Sequence, residues 1–101
     1  MASPEHGEIA DVIHRISVYA GHDESTFDAL QRAADSYHSS VEHHEDGNYE
    51  RAHKDLQIAA EHIGTAASLG AYTSDPYFGY SMHPKAIASQ HVQSYKHAYL
   101  S

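Results

Sequence analysis

At three places in the chain an acidic residue is followed three positions later by a histidine. The pairs are Asp11 with His14, Asp35 with His38, and Glu50 with His53. On a helix this spacing puts both side chains on one face, and some helical bundles use such pairs to hold two metal ions between carboxylate and imidazole ligands. One candidate function is therefore an iron or zinc site whose ligands come from three helices.

The composition weakens the metal hypothesis without removing it. With 11 histidines and 14 acidic residues among 101, on the order of one or two such pairs are expected by chance. The pairs also lie beside the apolar stripes of the helices, and the bridging glutamates of ferritin-like bundles are not evident. A ferritin-like di-metal site is therefore the alternative, and the leading hypothesis assigns the chain no cofactor and no metal.

Charge and cysteine content restrict the class of partner. The chain has no cysteine, so it forms neither a disulfide nor a thiolate metal site. Six basic residues against fourteen acidic ones give a formal net charge of −8 with the histidines neutral. Because this charge repels a phosphate backbone, we expect no nucleic-acid partner, and an inhibitor that mimics the charge of DNA is a second alternative.

Signatures of common catalytic sites are absent from the sequence. It contains no Gly-rich phosphate loop, no Gly-x-Ser-x-Gly elbow and no His-Glu-x-x-His motif. A small helical bundle also offers little concave space for a substrate. We therefore predict that the protein is not an enzyme.

Targeting signals are not indicated either. The N-terminal residues lack a basic region followed by an apolar one, and no apolar run approaches the roughly 18 residues of a membrane span. We expect a cytoplasmic or virion-associated protein with no membrane partner.

Apolar residues recur at helical spacing, which predicts an all-α protein. Ser3 is a candidate N-cap for a first helix with Pro4 in its first position and Gly21 as its stop. The second helix is expected to begin at Ser25 or Thr26. No segment alternates with the period of two that a strand requires.

Two further helices follow from the same signals. Asn48 is the expected cap of the third helix, which stops near Gly70, and Pro84 is the expected start of the fourth. The inward face predicted for the second helix comprises Phe27, Leu30, Ala34, Tyr37, Val41 and His44. The inward face predicted for the third comprises Tyr49, Ala52, Leu56, Ala60, Ile63 and Ala67.

The connections predict how these helices are arranged. The short turn "DGN" after the second helix folds the third back as an antiparallel hairpin. Residues 71–82, "AYTSDPYFGYSM", have no helical period and predict an aromatic-rich connection. We expect one domain overall, with a three-helix bundle in residues 1–70 and the Tyr-rich connection and C-terminal helix in residues 71–101.

The stretch "GNYERAHKDLQIAA" resembles the second half of a tetratricopeptide repeat. Gly47 lies at the turn between helices, and Tyr49, Ala52, Leu56 and Ala59 match the aromatic and small packing positions. The resemblance covers one helix and has no second copy in the chain, whereas such repeats need roughly three copies to bury their faces. It implies a helical hairpin and no peptide-binding groove.

Aromatic residues are concentrated near the C-terminus, where five of the eight tyrosines fall in residues 72–101. Tyrosine buries a large area at small entropic cost and keeps a polar tip, which makes it common at interfaces. The predicted interface residues are Tyr72, Tyr77, Phe78, Tyr80, Ile87, Val92, Tyr95 and Tyr99. Two compatible interpretations stay open: this segment contacts a partner, or it closes over the chain's own core.

These observations predict a non-catalytic protein for protein-protein interaction or structure. It would be a small acidic helical subunit of a larger assembly, such as a virion-associated protein or a phage or bacterial regulator that binds a host protein. Its partner is expected to be another protein or further copies of itself. We also expect deletion of residues 84–101 to leave a folded helical protein that melts more easily and loses its partner or its oligomeric state.

Overall fold

The structure, a computed structural model, describes residues 2–19, 24–69 and 83–101. They form four helices: α1 (Pro4–Tyr19), α2 (Glu24–Glu45), α3 (Tyr49–Ser68) and α4 (Pro84–Leu100). No strand occurs among these residues, and the helices pack as a small bundle, which confirms the predicted all-α fold. None of the described helices is long and apolar enough to cross a membrane. The expected stops at Gly21 and Gly70, and the connection of residues 71–82, lie outside the described residues.

Local capping groups determine where α3 and α4 begin. Gly47 has a φ of 79°, a left-handed conformation that favours glycine and turns the chain back after α2. The Asn48 side chain then accepts a hydrogen bond from Arg51 N at 3.3 Å. At α4 the His83 side chain supplies the cap, and Pro84 occupies the first helical position. The predicted starts of both helices are confirmed.

The start and the buried face of α2 differ from the prediction. The helix begins at Glu24, before the predicted start at Ser25 or Thr26. Thr26 is buried within the first turn. Of the predicted inward face, Phe27 is 45% exposed, whereas Leu30 is buried and the other four residues are half-buried. The residues that α2 buries are Thr26, Ala29, Leu30, Ala33 and Ser40. The prediction followed the largest apolar residues, whereas small side chains let α2 and α3 approach closely and form the most extensive helix pair.

The inward face of α3 agrees with the sequence pattern in five of its six positions. Ala52, Leu56, Ala60, Ile63 and Ala67 are buried. Tyr49, the sixth, is 36% exposed at the start of the helix. Most of this face consists of alanine, so large side chains from other helices must fill the space above it.

α4 supplies part of that filling, because it packs against both α3 and α1. Ile87, Ala88, Val92 and Tyr95 are buried in the same core cluster as the residues of the first three helices. Tyr95 is the largest fully buried side chain among the described residues. α4 is therefore an integral element of the bundle.

Deletion of residues 84–101 is accordingly expected to unfold the protein, which revises the expectation of a stable three-helix remnant. The deletion removes Ile87, Val92 and Tyr95, and burying each large apolar side chain contributes about 1.5–3 kcal/mol, whereas a domain is stable by only about 5–15 kcal/mol. Far-UV circular dichroism during urea unfolding measures the outcome. Deletion of residues 100–101 alone is the control and should keep the cooperative transition. A cooperative, fully helical protein after the longer deletion would contradict the place of α4 in the core.

Candidate functional site

The start of α1 is held by a hydrogen-bonded cluster around His6. Ser3 Oγ accepts a hydrogen bond from His6 N at 3.2 Å, and Ser3 N donates to His6 Nδ1, also at 3.2 Å. This reciprocal pattern is that of a capping box, with histidine in the position usually taken by Glu or Gln. The other ring nitrogen, Nε2, lies 2.8 Å from Ser40 Oγ on α2.

Ser40 determines which nitrogen of His6 carries the proton. Its Oγ donates to the backbone carbonyl of Ala52 on α3 at 2.7 Å, and a hydroxyl group has one proton to give. Ser40 Oγ must therefore accept from His6 Nε2–H, which leaves His6 Nδ1 as the acceptor for Ser3 Oγ–H at 2.7 Å. The neutral Nε2–H tautomer satisfies the whole chain of bonds from Ser3 to Ala52 and links three helices.

Burial keeps this imidazole neutral. His6 is fully buried, and desolvation, with a smaller contribution from His44, lowers the pKa of His6 from 6.5 to about 4. Both ring nitrogens are already hydrogen-bonded within the protein. The cluster therefore holds the fold together and has no free nitrogen for a metal ion or a substrate.

An aromatic layer surrounds His44 on the side of the bundle next to His6. The rings of His6, Tyr49, Tyr95 and Tyr99 have centroids 4.9–5.6 Å from that of His44. His44 Nδ1 lies 2.9 Å from the Tyr95 hydroxyl, and burial raises the pKa of Tyr95 to about 12. The layer joins all four helices and leaves Tyr95 as a neutral phenol.

His53 on α3 is buried without the hydrogen bond that such a position requires. The residue is 9% exposed, and its Nε2 has no partner among the described residues. Burial, together with the charge of Lys96, lowers the pKa of His53 below its usual 6.5. An unsatisfied buried nitrogen costs stability. His53 also lines a groove between α3 and α4, although its Nε2 atom is closed to solvent.

Two other histidines pair with carboxylates across helix boundaries. His43 Nε2 on α2 lies 3.7 Å from Asp55 Oδ2 on α3, and His91 Nε2 on α4 lies 3.9 Å from Glu8 Oε2 on α1. Asp55 also accepts a hydrogen bond from Ser39 Oγ at 2.9 Å. Several of the abundant histidines thus lie at contacts between helices.

The carboxylates of the three acid–histidine pairs are exposed, and two of them contact neighbours on their own helix. Asp11 accepts a hydrogen bond from Arg15 Nε, and Asp35 accepts one from Gln31 Nε2, both at 3.1 Å. Glu50 is exposed at the start of α3. All three carboxylates lie on the outside of the bundle.

The histidines of these pairs do not meet at one place. His14 and His38 line a shallow pocket between α1 and α2, whereas His53 lies at the groove between α3 and α4. Within the described parts of the chain, no three histidine or carboxylate side chains are grouped so that they could hold a metal ion. These residues therefore do not form the three-helix iron or zinc site that the alternative hypothesis requires.

Acidic residues line up along one side of α2. Their spacing places Glu24, Asp28, Asp35 and Glu42 within about 40° of one line along the helix, and all four are exposed. Asp28 is paired with Arg32 at 3.1 Å, and α4 carries no acidic residue. This line contains four of the fourteen acidic residues, and one of the four is ion-paired. Among the described residues, it is the feature that matches the row of negative charge expected of a DNA mimic.

The predicted interface residues fall into two groups. Tyr72, Tyr77, Phe78 and Tyr80 lie outside the described residues. Ile87, Val92 and Tyr95 are buried, and Tyr99 is half-buried with its ring centroid 4.7 Å from that of Tyr95. The three buried residues pack in the chain's own core, where alanine-rich α3 needs large side chains opposite it, and are not exposed for contact with a partner.

Exposed apolar side chains occur elsewhere on the bundle. Phe27 and Leu69, each 45% exposed, line one groove of about 980 Å³ between α2 and α3. Ile58 on α3 is equally exposed, at 45%, but does not line this groove. Single exposed apolar residues are normal on a protein surface, so what distinguishes Phe27 and Leu69 is that both line the same groove.

Sequence reasoning recognised the cap Ser3 but missed His6 and Ser40. The signal for His6 is present in "SPEH", since a histidine three residues after the cap has the spacing of a capping box. Ser40 has no comparable local signal. Its bonds reach His6, 34 residues away, and Ala52, 12 residues away.

The depressed pKa of His6 predicts that stability falls with falling pH between about 6.5 and 4. In that window the unfolded chain binds a proton at His6 that the folded protein excludes, so the free energy of unfolding drops by up to about 3 kcal/mol. Above pH 6.5 this contribution is fully present. The substitution His6→Gln keeps an acceptor in the capping box but cannot titrate, and should flatten the dependence.

Urea unfolding followed by circular dichroism, in steps from pH 7 to pH 4.5, measures this effect. His14→Gln is the matched control, because His14 is an exposed histidine on the same helix. It should keep the wild-type slope. A His6→Gln variant that loses stability as steeply as the wild type would show that His6 is not the titrating group.

Because His53 Nε2 has no hydrogen-bond partner among the described residues whereas both ring nitrogens of His6 do, we expect leucine to have opposite effects on stability at these two buried histidines. At pH 7, His53→Leu removes a buried polar atom that has no partner, and the free energy of unfolding should stay level or rise by about 1 kcal/mol. His6→Leu removes the ring nitrogen that accepts from Ser3 and the N–H that donates to Ser40, and should cost about 2 kcal/mol or more. Urea unfolding of both variants tests the contrast, and equal losses would contradict it.

Comparisons with known proteins give no family for this chain. No family model matches it, and no curated protein and no solved structure matches it either. Its function is therefore argued from the residues and contacts described above.

Proposed function

We propose that the protein is a non-catalytic subunit for protein-protein interaction, a small acidic helical component of a larger assembly. The observation that carries this proposal is the groove between α2 and α3 in which Phe27 and Leu69 are both exposed. Two large apolar side chains exposed in one groove favour contact with another protein, because that contact would remove both from water. The proposal also fits a chain without the sequence signatures of catalysis.

The buried polar groups support a structural rather than a chemical role. The serine and histidine side chains of Ser3, His6 and Ser40 are in contact, as they would be in a hydrolase, but they are buried and their protons are committed to hydrogen bonds within the protein. A nucleophile must reach its substrate, and these hydroxyl groups face the interior. The cluster therefore favours a scaffold over an enzyme.

The partner we infer is another protein chain, either a second copy or a different subunit. Glu24, Asp28 and Arg32 line the groove together with the apolar residues, so a partner that combines apolar and charged side chains would fit it. The net charge of −8 disfavours nucleic acid. We assign the assembly to the cytoplasm or a virion. The aromatic residues Tyr72, Tyr77, Phe78 and Tyr80 follow Leu69 in the sequence and stay predicted contacts.

The groove predicts which exposed apolar residues matter for assembly. In the full chain, Phe27→Ser and Leu69→Ser should each abolish the assembly, because each replaces apolar contact area at its centre. Ile58→Ser is the matched control, with the same exposure of 45% outside the groove, and should leave the assembly intact. Native mass spectrometry and light scattering during gel filtration measure the mass of the untagged protein.

Three results would decide against the interaction role of this groove. They are a wild-type protein that stays monomeric at high concentration with no stoichiometric partner, an assembly that survives both groove substitutions, and an Ile58→Ser variant that disassembles as readily. Circular dichroism of each variant separates loss of assembly from loss of the fold.

A further inference from the structure

Positive charge is concentrated in one groove of this acidic protein. The chain has six lysines and arginines in all. Three of them, Arg51, Lys54 and Lys96, line a single groove of about 590 Å³ between the first half of α3 and the end of α4. Glu50 is the only acidic residue in its lining. The two helices thus gather half of the chain's permanent positive charge at one place.

The other three cations are paired with carboxylates. Arg15 lies 3.1 Å from Asp11, and Arg32 lies 3.1 Å from Asp28. Lys85 lies 4.0 Å from Glu61. For the three cations of the groove, in contrast, no ion pair within 4.0 Å occurs among the described residues. Their charges are available to a ligand.

His53 adds a second and independent feature to the groove. It is more than nine-tenths buried, it lines the groove, and its Nε2 lacks a partner among the described residues. Nε2 is closed to solvent, so a ligand in the groove reaches it only when the ring rotates slightly; a neutral imidazole can then donate its Nε2 proton to an oxygen atom. The groove also includes the first turn of α3, where the positive end of the helix dipole adds to the attraction for an anion.

We propose that this groove binds a small multivalent anion that bears phosphate groups, held by Arg51, Lys54 and Lys96 with a hydrogen bond from His53 Nε2. The guanidinium fork of Arg51 matches the geometry of phosphate oxygens, and the two lysines supply mobile point charges. The volume of about 590 Å³ is that of a small-molecule site and exceeds the need of a single phosphate ion. The acidic remainder of the chain disfavours a long polyanion such as nucleic acid. This site is separate from the proposed assembly groove between α2 and α3.

Isothermal titration calorimetry of the full chain with sodium pyrophosphate tests the site. We expect one saturable site per chain. Arg51→Gln and Lys96→Gln should each weaken binding by about tenfold, because each removes a charge-assisted contact. Lys85→Gln is the matched control, a lysine at the other end of α4, and should leave the affinity within about twofold of wild type.

Two further measurements separate a built site from general attraction to positive charge. Addition of pyrophosphate should move the ¹⁵N resonance of His53 Nε2, which a loosely held ion would not reach. His53→Leu should weaken binding by about tenfold while its unfolding curve stays that of a folded protein. Citrate, titrated in the same way, distinguishes phosphate from carboxylate ligands and should bind more weakly.

The proposal is overturned if pyrophosphate gives no saturable heat up to about 10 mM, because a functional site would have a dissociation constant well below that concentration. It is also overturned if Lys85→Gln weakens binding as much as Lys96→Gln, or if the His53 resonance does not move. Tighter binding of citrate than of pyrophosphate would reject the phosphate assignment.

Discussion

One neutral imidazole joins three of the four helices. His6 closes the capping box at the start of α1 with one ring nitrogen and reaches Ser40 on α2 with the other, and Ser40 passes the connection to the Ala52 carbonyl of α3. Since these groups are buried, a shift of α1 by one residue would leave several of them without partners. Hydrophobic packing alone would tolerate more than one arrangement of an alanine-rich bundle, so the polar chain fixes how α1 is placed.

The packing around this connection follows from the small size of the residues on α2 and α3. Alanines and Ser40 let the two helices approach closely, and the space left above them is filled from α4 by Tyr95 and from the aromatic layer around His44. Histidine therefore has three roles in one small protein. His6 is a satisfied core residue, His44 is an aromatic packing residue, and His53 is a buried side chain whose nitrogen lacks a partner.

The features that could be predicted are those that depend on residues close together in the sequence. The helix starts at Asn48 and Pro84 were predictable because capping is local, and the buried face of α3 was predictable because its large residues keep one period. The face of α2 was predicted in part: its other five residues are buried or half-buried, but Phe27 is exposed because small residues meet α3. The grouping of Lys96 with Arg51 and Lys54 was missed. Arg51 and Lys54 share a helix face at a spacing of three, but Lys96 joins them only through the packing of α4.

The neutral state of His6 also has a colloidal consequence. The isoelectric point of the sequence, about 5.7, falls inside the interval from 6.5 to about 4 over which the folded protein excludes a proton that the unfolded chain accepts. Electrostatic self-repulsion is therefore weakest at the pH values where opened molecules become more frequent, and those molecules expose the alanine and tyrosine surfaces of the core. The two effects act in the same direction, so mild acidification favours association of opened molecules as well as unfolding.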